Sequence, residues 1–143
     1  SRFIMTLTEA VALVSESVFL ARGGEVFVTK MPVLRIEDLA RAMIQELAPR
    51  HGFSPDDIGL DVVGSRPGEK MYEELLNEEE KRRTLELERF FIVRPAIEGG
   101  AAVEDYPDVL ATGREHAYNS ASETPMSPED VRRYLVSHSL LDS

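Results

Sequence analysis

Between Glu25 and Val63 the chain runs from an extended segment through an amphipathic one to a second extended segment, and this order restricts its fold more than any other feature. Glu25-Val26-Phe27-Val28-Thr29 is β-branched and aromatic, and Lys30-Met31-Pro32 breaks it. Ile36, Leu39, Ala40, Met43, Ile44 and Leu47 then recur at helical spacing until Pro49 and His51-Gly52 close the segment. No good N-cap precedes this helix, so the pattern leaves its start open. After the turn-like Ser54-Pro55-Asp56-Asp57, residues Ile58 to Val63 again read as a strand. Strand, helix, strand predicts one βαβ unit with parallel pairing and a right-handed crossover, and so an α/β fold.

A helix is predicted ahead of this unit. Thr6 and Glu9 stand at capping-box spacing, just after the apolar Phe3-Ile4-Met5. Leu7, Ala10, Val11, Val14, Val18 and Ala21 lay one apolar stripe along about four turns, and Gly23-Gly24 stops it. Downstream, Glu69 to Glu88 is rich in Glu, Leu, Lys and Arg, which predicts helix broken near Asn77. Arg89-Phe90-Phe91-Ile92-Val93 returns to strand character. Residues 96–126 hold Gly, Pro, Ser, Asp and Asn without periodicity and read as a long irregular excursion of the functional or mobile kind. Ser127-Pro128-Glu129-Asp130 supplies a cap, a first-turn proline and acidic residues facing the dipole, predicting a terminal helix over 127–138. The 143 residues suit a single domain, 1–143.

Composition narrows the function classes. With 43% hydrophobic residues the chain can bury a core, and no apolar run approaches the roughly 20 residues that cross a bilayer. The N-terminal residues lack the basic-then-apolar layout of a signal peptide, so a soluble, cytoplasmic chain without a membrane partner is expected. Zero cysteines exclude a disulfide scaffold, a thiolate zinc site and a thiol nucleophile, and three scattered histidines make no metal set. A net charge of −10 repels a phosphate backbone, so nucleic acid is a poor partner. Only three of the 16 basic residues are lysine (Lys30, Lys70, Lys81), leaving 13 arginines. Acid excess with scarce lysine fits a salt-rich cytoplasm, and it fits ordinary solvated surface from a GC-rich genome equally well.

The motifs that carry chemistry are few. No G-x-G-x-x-G or Walker-type glycine loop occurs, since Gly23-Gly24 and Gly99-Gly100 are isolated pairs. There is no G-x-S-x-G elbow, no H-x-x-x-H pair and no Tyr followed four residues later by Lys. The residues thus encode no dinucleotide site and no complete oxidoreductase. The compact constellation is Ser65-Arg66-Pro67-Gly68-Glu69-Lys70, expected where a strand ends and a helix begins, the place where open α/β sheets bind ligands. Arg offers a planar fork for phosphate, Pro and Gly hold the backbone tightly, and Glu accepts hydrogen bonds from a ribose diol. A solvated turn with a surface ion pair is the plainer reading of the same residues.

Taken together, Arg2-Phe3-Ile4-Met5-Thr6, Gly24-Glu25-Val26-Phe27-Val28, Lys30-Met31-Pro32, the Ile36–Ala40 helix start and Arg66-Pro67-Gly68-Glu69-Lys70 resemble the C-terminal portion of the nucleotide-sugar 4,6-dehydratases of polysaccharide biosynthesis. These belong to the extended short-chain dehydrogenase/reductase superfamily, and the likeness is greatest to the UDP-N-acetylglucosamine 4,6-dehydratase group of capsule enzymes. It continues through Tyr72-Glu73-Glu74-Leu75 and Glu86-Leu87-Glu88, thins, and returns at Tyr118-Asn119-Ser120 and the terminal helix. Met71-Tyr72 departs from the family's usual Leu-His, which leaves the sugar-side contacts open.

The resemblance implies an α/β fold, the C-terminal part of a Rossmann-type extended short-chain dehydrogenase with a small βαβ-containing sheet and flanking helices. It implies that NAD(P), the glycine loop and the catalytic Tyr and Lys belong to a domain preceding Arg2, so no cofactor, no metal and no catalytic residue is expected in this chain. What it carries onto these residues is UDP-sugar binding: Arg66 on the diphosphate, Glu69 on the uridine ribose, and Arg2 as a second phosphate contact. Self-association into a homo-oligomer is compatible with it. Two readings follow: the substrate-binding lobe of a dehydratase or epimerase, and a stand-alone, non-catalytic nucleotide-sugar-binding or subunit-interaction module.

Overall fold

Thr6 opens the first helix as its spacing requires. In the computed structural model, which describes residues 1–96 and 102–142, the Glu9 N–H donates to the Thr6 hydroxyl at 3.1 Å and the Thr6 N–H donates to the Glu9 carboxylate at 2.6 Å. Helix α1 spans Leu7–Leu20. Just before it, β1 (Arg2–Phe3) pairs antiparallel with β3 (Val33–Leu34), so the chain returns to its own start after β2 (Val26–Thr29). Helix α2 (Ile36–Leu47) begins at Arg35 with no side-chain cap, as the weak start signal foretold. Helix α3 (Pro128–Ser137) is capped by Ser127, whose hydroxyl accepts the Asp130 N–H at 3.1 Å, with Pro128 in the first turn.

The order of residues in β6 (Phe90–Val93) organises the core. All four side chains are buried, and alternation along the strand sends them to opposite faces. Phe91 and Val93 join Leu76 and Tyr118 on one side; Ile92 joins Leu85, Leu87 and Tyr106 on the other. A strand covered on both faces reads as a continuous apolar run, which is why Phe-Phe-Ile-Val stands out in the sequence. The sheet has the order β2-β6-β5-β7, with β5 at Thr84–Glu86 and β7 at Ala111–Thr112. A third cluster lies between α2 and α3, where Leu34, Ala42, Val131, Leu135 and Leu141 are buried together.

The class is α/β, with small sheets and flanking helices, but two local expectations fail. The first is the βαβ unit. Every strand pair among the described residues is antiparallel, β2 lying against β6 with Val26 opposite Val93 and Thr29 opposite Phe90. Ile58–Val63 forms no strand, and Val62 and Val63 remain 88% and 85% exposed. β6 occupies one edge of β2, and among the described residues no strand pairs with the other edge, so the run from Ile58 to Val63 stays outside the sheet.

The second is the helix over Glu69–Glu88. Glu74–Leu76 is instead β4, paired with β8 (Tyr118–Asn119), and a short 3-10 turn at Glu80–Arg83 leads into β5. Good helix formers without a continuous 3.6-residue apolar face have nothing to pack, and helical stability in a protein comes mostly from packing. The expected excursion 96–126 lies partly outside the described residues, at 97–101 with Gly99-Gly100; its described part is mostly irregular and contributes the two-residue strands β7 and β8 and the buried Tyr106, Ala117, Tyr118 and Ser120.

Candidate substrate-binding site

Pro67 and Gly68 explain the local shape of the Arg66–Glu69 turn. The Glu69 N–H donates to the Arg66 carbonyl at 3.0 Å, Gly68 has φ of 87°, and Pro67 precedes it. A fixed φ near −65° followed by a positive one is the requirement of a type II turn, and these two residues meet it without strain. The Glu69 carboxylate folds back and accepts the Arg66 N–H at 3.0 Å. Arg66 and Glu69 are therefore brought together. The segment from 56 to 72 is exposed throughout, with neither a strand before the turn nor a helix after it, so the expected strand-to-helix junction is absent. Among the described residues the Arg66 guanidinium has no hydrogen bond or ion pair.

Arg2 reaches the same region from β1. Its guanidinium donates to the carbonyls of Ser1 and Lys70, each at 2.8 Å, and its Nε lies 3.9 Å from Glu73. Lys70 directly follows the Glu69 that closes the turn. Two of the five guanidinium N–H groups are committed to carbonyls and a third faces Glu73, which leaves two for a ligand. Glu73 also accepts the Phe3 N–H at 2.9 Å. Ser120 completes the junction: its hydroxyl accepts the Glu73 N–H at 3.0 Å and donates to the Ser1 carbonyl at 3.2 Å, while its own N–H donates to the Glu73 carbonyl at 2.8 Å. Glu73 and Ser120 lay within stretches that matched the family without being assigned a role, because their partners are distant in sequence.

The Lys30-Met31-Pro32 motif is structural. Lys30 donates to Glu86 at 2.7 Å and lies over the Phe91 ring. The Tyr118 hydroxyl accepts the Met31 N–H at 2.8 Å and donates to the Met31 carbonyl at 3.1 Å; burial pushes its pKa up, so it stays protonated and able to donate. A cavity of about 180 Å³ lies nearby, lined by Met5, Glu9, Lys30, Pro32 and Arg89 among others, and none of Arg2, Arg66 or Glu69 lines it. Among the described residues no group of acidic residues and histidines is arranged to hold a metal, and no helix is long and apolar enough to cross a membrane.

Residues 1–95 match the family described as polysaccharide biosynthesis protein. The chain belongs to that family. It is 41% identical over 142 residues to an uncharacterized membrane protein of Methanocaldococcus jannaschii, covering 99% of this chain and 39% of that protein. It is 29% identical over 97 residues to the UDP-N-acetylglucosamine 4,6-dehydratase (inverting) of Campylobacter jejuni, covering 68% and 26% of the two chains. The X-ray structure of Pen from Bacillus thuringiensis superposes with a TM-score of 0.76 at 33% identity, over 96% of this chain and 38% of that one. The chain thus spans well under half the length of each relative, and its small sheets and helices are those of a C-terminal region of such a protein.

Proposed function

We propose that this chain is the UDP-sugar-binding region of a nucleotide-sugar 4,6-dehydratase or epimerase of polysaccharide biosynthesis. The observation that carries the proposal is the uncommitted guanidinium of Arg66, held on a turn whose last residue adjoins the carbonyl that Arg2 grips. Two guanidinium groups near one loop suit a diphosphate, each able to form charge-assisted, paired hydrogen bonds. In this reading Arg66 binds the diphosphate, Arg2 uses its remaining donors on the second phosphate, and Glu69 turns outward to the ribose. Family membership and the dehydratase among the relatives support the nucleotide-sugar class.

Dinucleotide binding does not fit the residues present. Gly23-Gly24 follow the end of α1, and Gly64 and Gly68 lie in an exposed loop, so among the described residues no glycine-rich strand-loop-helix cradles a pyrophosphate. We assign NAD(P) and the reacting groups to the part of the protein that lies outside this chain. Calorimetric titration of the 143-residue chain with NADP should give no heat of binding; micromolar affinity would overturn that assignment.

The test of the main reading is Arg66→Ala in a complete enzyme carrying this chain. Removing about 2–3 kcal/mol of charge-assisted contact raises KM for the UDP-sugar about 30- to 150-fold with kcat little changed. An unchanged KM would make the turn merely a solvated one.

A further inference from the structure

A diphosphate is gripped by two guanidinium groups only if their spacing is fixed, yet Arg2 sits on a strand and Arg66 on an exposed loop. The structure assigns the task of fixing that spacing to Ser120, resting on the UDP-binding reading of Arg2 and Arg66. Ser120 is only 2% exposed, one of three buried polar residues, with Thr6 and Thr84, among the described residues. Its hydroxyl has one proton and two acceptor sites, and all are used. The proton goes to the Ser1 carbonyl at 3.2 Å; the Glu73 N–H at 3.0 Å and the Ser1 hydroxyl at 3.1 Å supply the other two contacts. One buried oxygen therefore joins the residue before Arg2 to the residue that ends the loop carrying Arg66.

Glu73 carries the connection to Arg2 itself. Its backbone is bound by Ser120, and its carboxylate holds the Phe3 N–H and faces the Arg2 guanidinium. Ser120 touches no ligand in this arrangement; it is a positioning residue. It also belongs to the segment just after β8, so pairing of β8 with β4 places it.

The consequence is selective. A ligand that spans both guanidinium groups depends on their spacing, whereas one phosphate on a single arginine does not. In the full 143-residue chain, Ser120→Ala should weaken UDP binding at least about tenfold and UMP binding less than about threefold, so the preference for UDP collapses. General loss of structure would lower both alike, and a thermal melt run beside the titration separates that case. Should Ser120→Ala fail to fold, Ser120→Cys, which keeps the size of the side chain and replaces the hydroxyl by a weak donor and acceptor, should show the same collapse.

Equal loss for UDP and UMP with an unchanged melt, or no loss for either, overturns the role of Ser120. If the wild-type chain binds neither nucleotide, the UDP-binding reading fails on its own account. Amide exchange then decides the latch: Ser120→Ala must speed exchange at Glu73 and loosen residues 66–72 in ¹⁵N relaxation, and unchanged values there overturn it.

Discussion

Helices α1 and α2 both carry apolar residues at helical spacing, confined to one face in α2 and spread around most of α1, and they meet different fates. α2 packs on α3, and Ala42, Val131 and Leu135 are buried between them with Leu39 and Leu47 alongside. α1 buries no residue; Leu7 and Phe19 are 82% and 81% exposed, with Val11, Val14 and Val18 also open to solvent. Its attachments are largely polar. Glu9 accepts the Tyr134 hydroxyl at 2.9 Å, and Glu16 pairs with Arg89. An apolar stripe thus shows that a helix has a face to cover, and says nothing of whether the covering lies in the same chain.

The comparison is broken most easily at α3. Leu135→Ala removes packing from the α2–α3 cluster and should cost about 2–5 kcal/mol, read as a fall in the denaturation midpoint. A loss below about 1 kcal/mol would mean the two helices are held together by something other than this cluster.

The next effect is the polar tie of α1. Burial and the Glu9 carboxylate push the Tyr134 hydroxyl up to about 12. Burial alone would raise Glu9, but the Thr6 N–H, the Thr6 hydroxyl and Tyr134 outweigh it and hold Glu9 below the usual carboxylate value. A raised tyrosine pKa stabilises the fold fully below pH 10 and loses that contribution as pH climbs towards 12; a lowered carboxylate pKa stabilises above its ordinary value and loses it in acid. Tyr134→Phe should therefore cost about 1 kcal/mol at neutral pH, with the gap to wild type closing in strong base and in acid. Thermal melts of both proteins from pH 3 to 12 check it, and a gap independent of pH would refute the tie.

The smallest effect on stability belongs to the exposed stripe. Leu7→Ser and Val14→Gln should each change stability by no more than about 0.5 kcal/mol. Their signature is association. Wild-type chain, at a net charge of −10, should self-associate more and melt higher as KCl screens its repulsion, and the two substitutions together should remove the association. Sedimentation across a KCl series reads this directly; a salt-independent monomer with a flat Tm would show that the stripe is inert.

The same contrast between local and distant causes explains what the sequence made legible. Thr6–Glu9, Ser127-Pro128 and the periodic faces of α1 and α2 are local signals, and all three helices form where they point. Phe90–Val93 is equally plain because both its faces are buried. Leu85-Glu86-Leu87-Glu88 alternates with a period of two, a strand signal that the helix-forming composition around it obscured. Ile58–Val63 has strand composition but no partner, and pairing is a property of the whole fold. Two-residue strands such as β7 and β8 are too short to carry a period. In the candidate site, Pro67-Gly68 forecasts the turn; Ser120 does not announce itself, because it acts on Glu73 from 47 residues away.

In the proposed function Arg66 and Arg2 together receive a UDP diphosphate. The most direct measurement is a UDP titration of the ¹⁵N-labelled chain. The amides of residues 64–70, Pro67 aside, and of Phe3 should shift along one binding curve, and Arg66→Ala should move its midpoint upward by about 30- to 150-fold. A curve that leaves those amides still, or one that Arg66→Ala does not move, would contradict it.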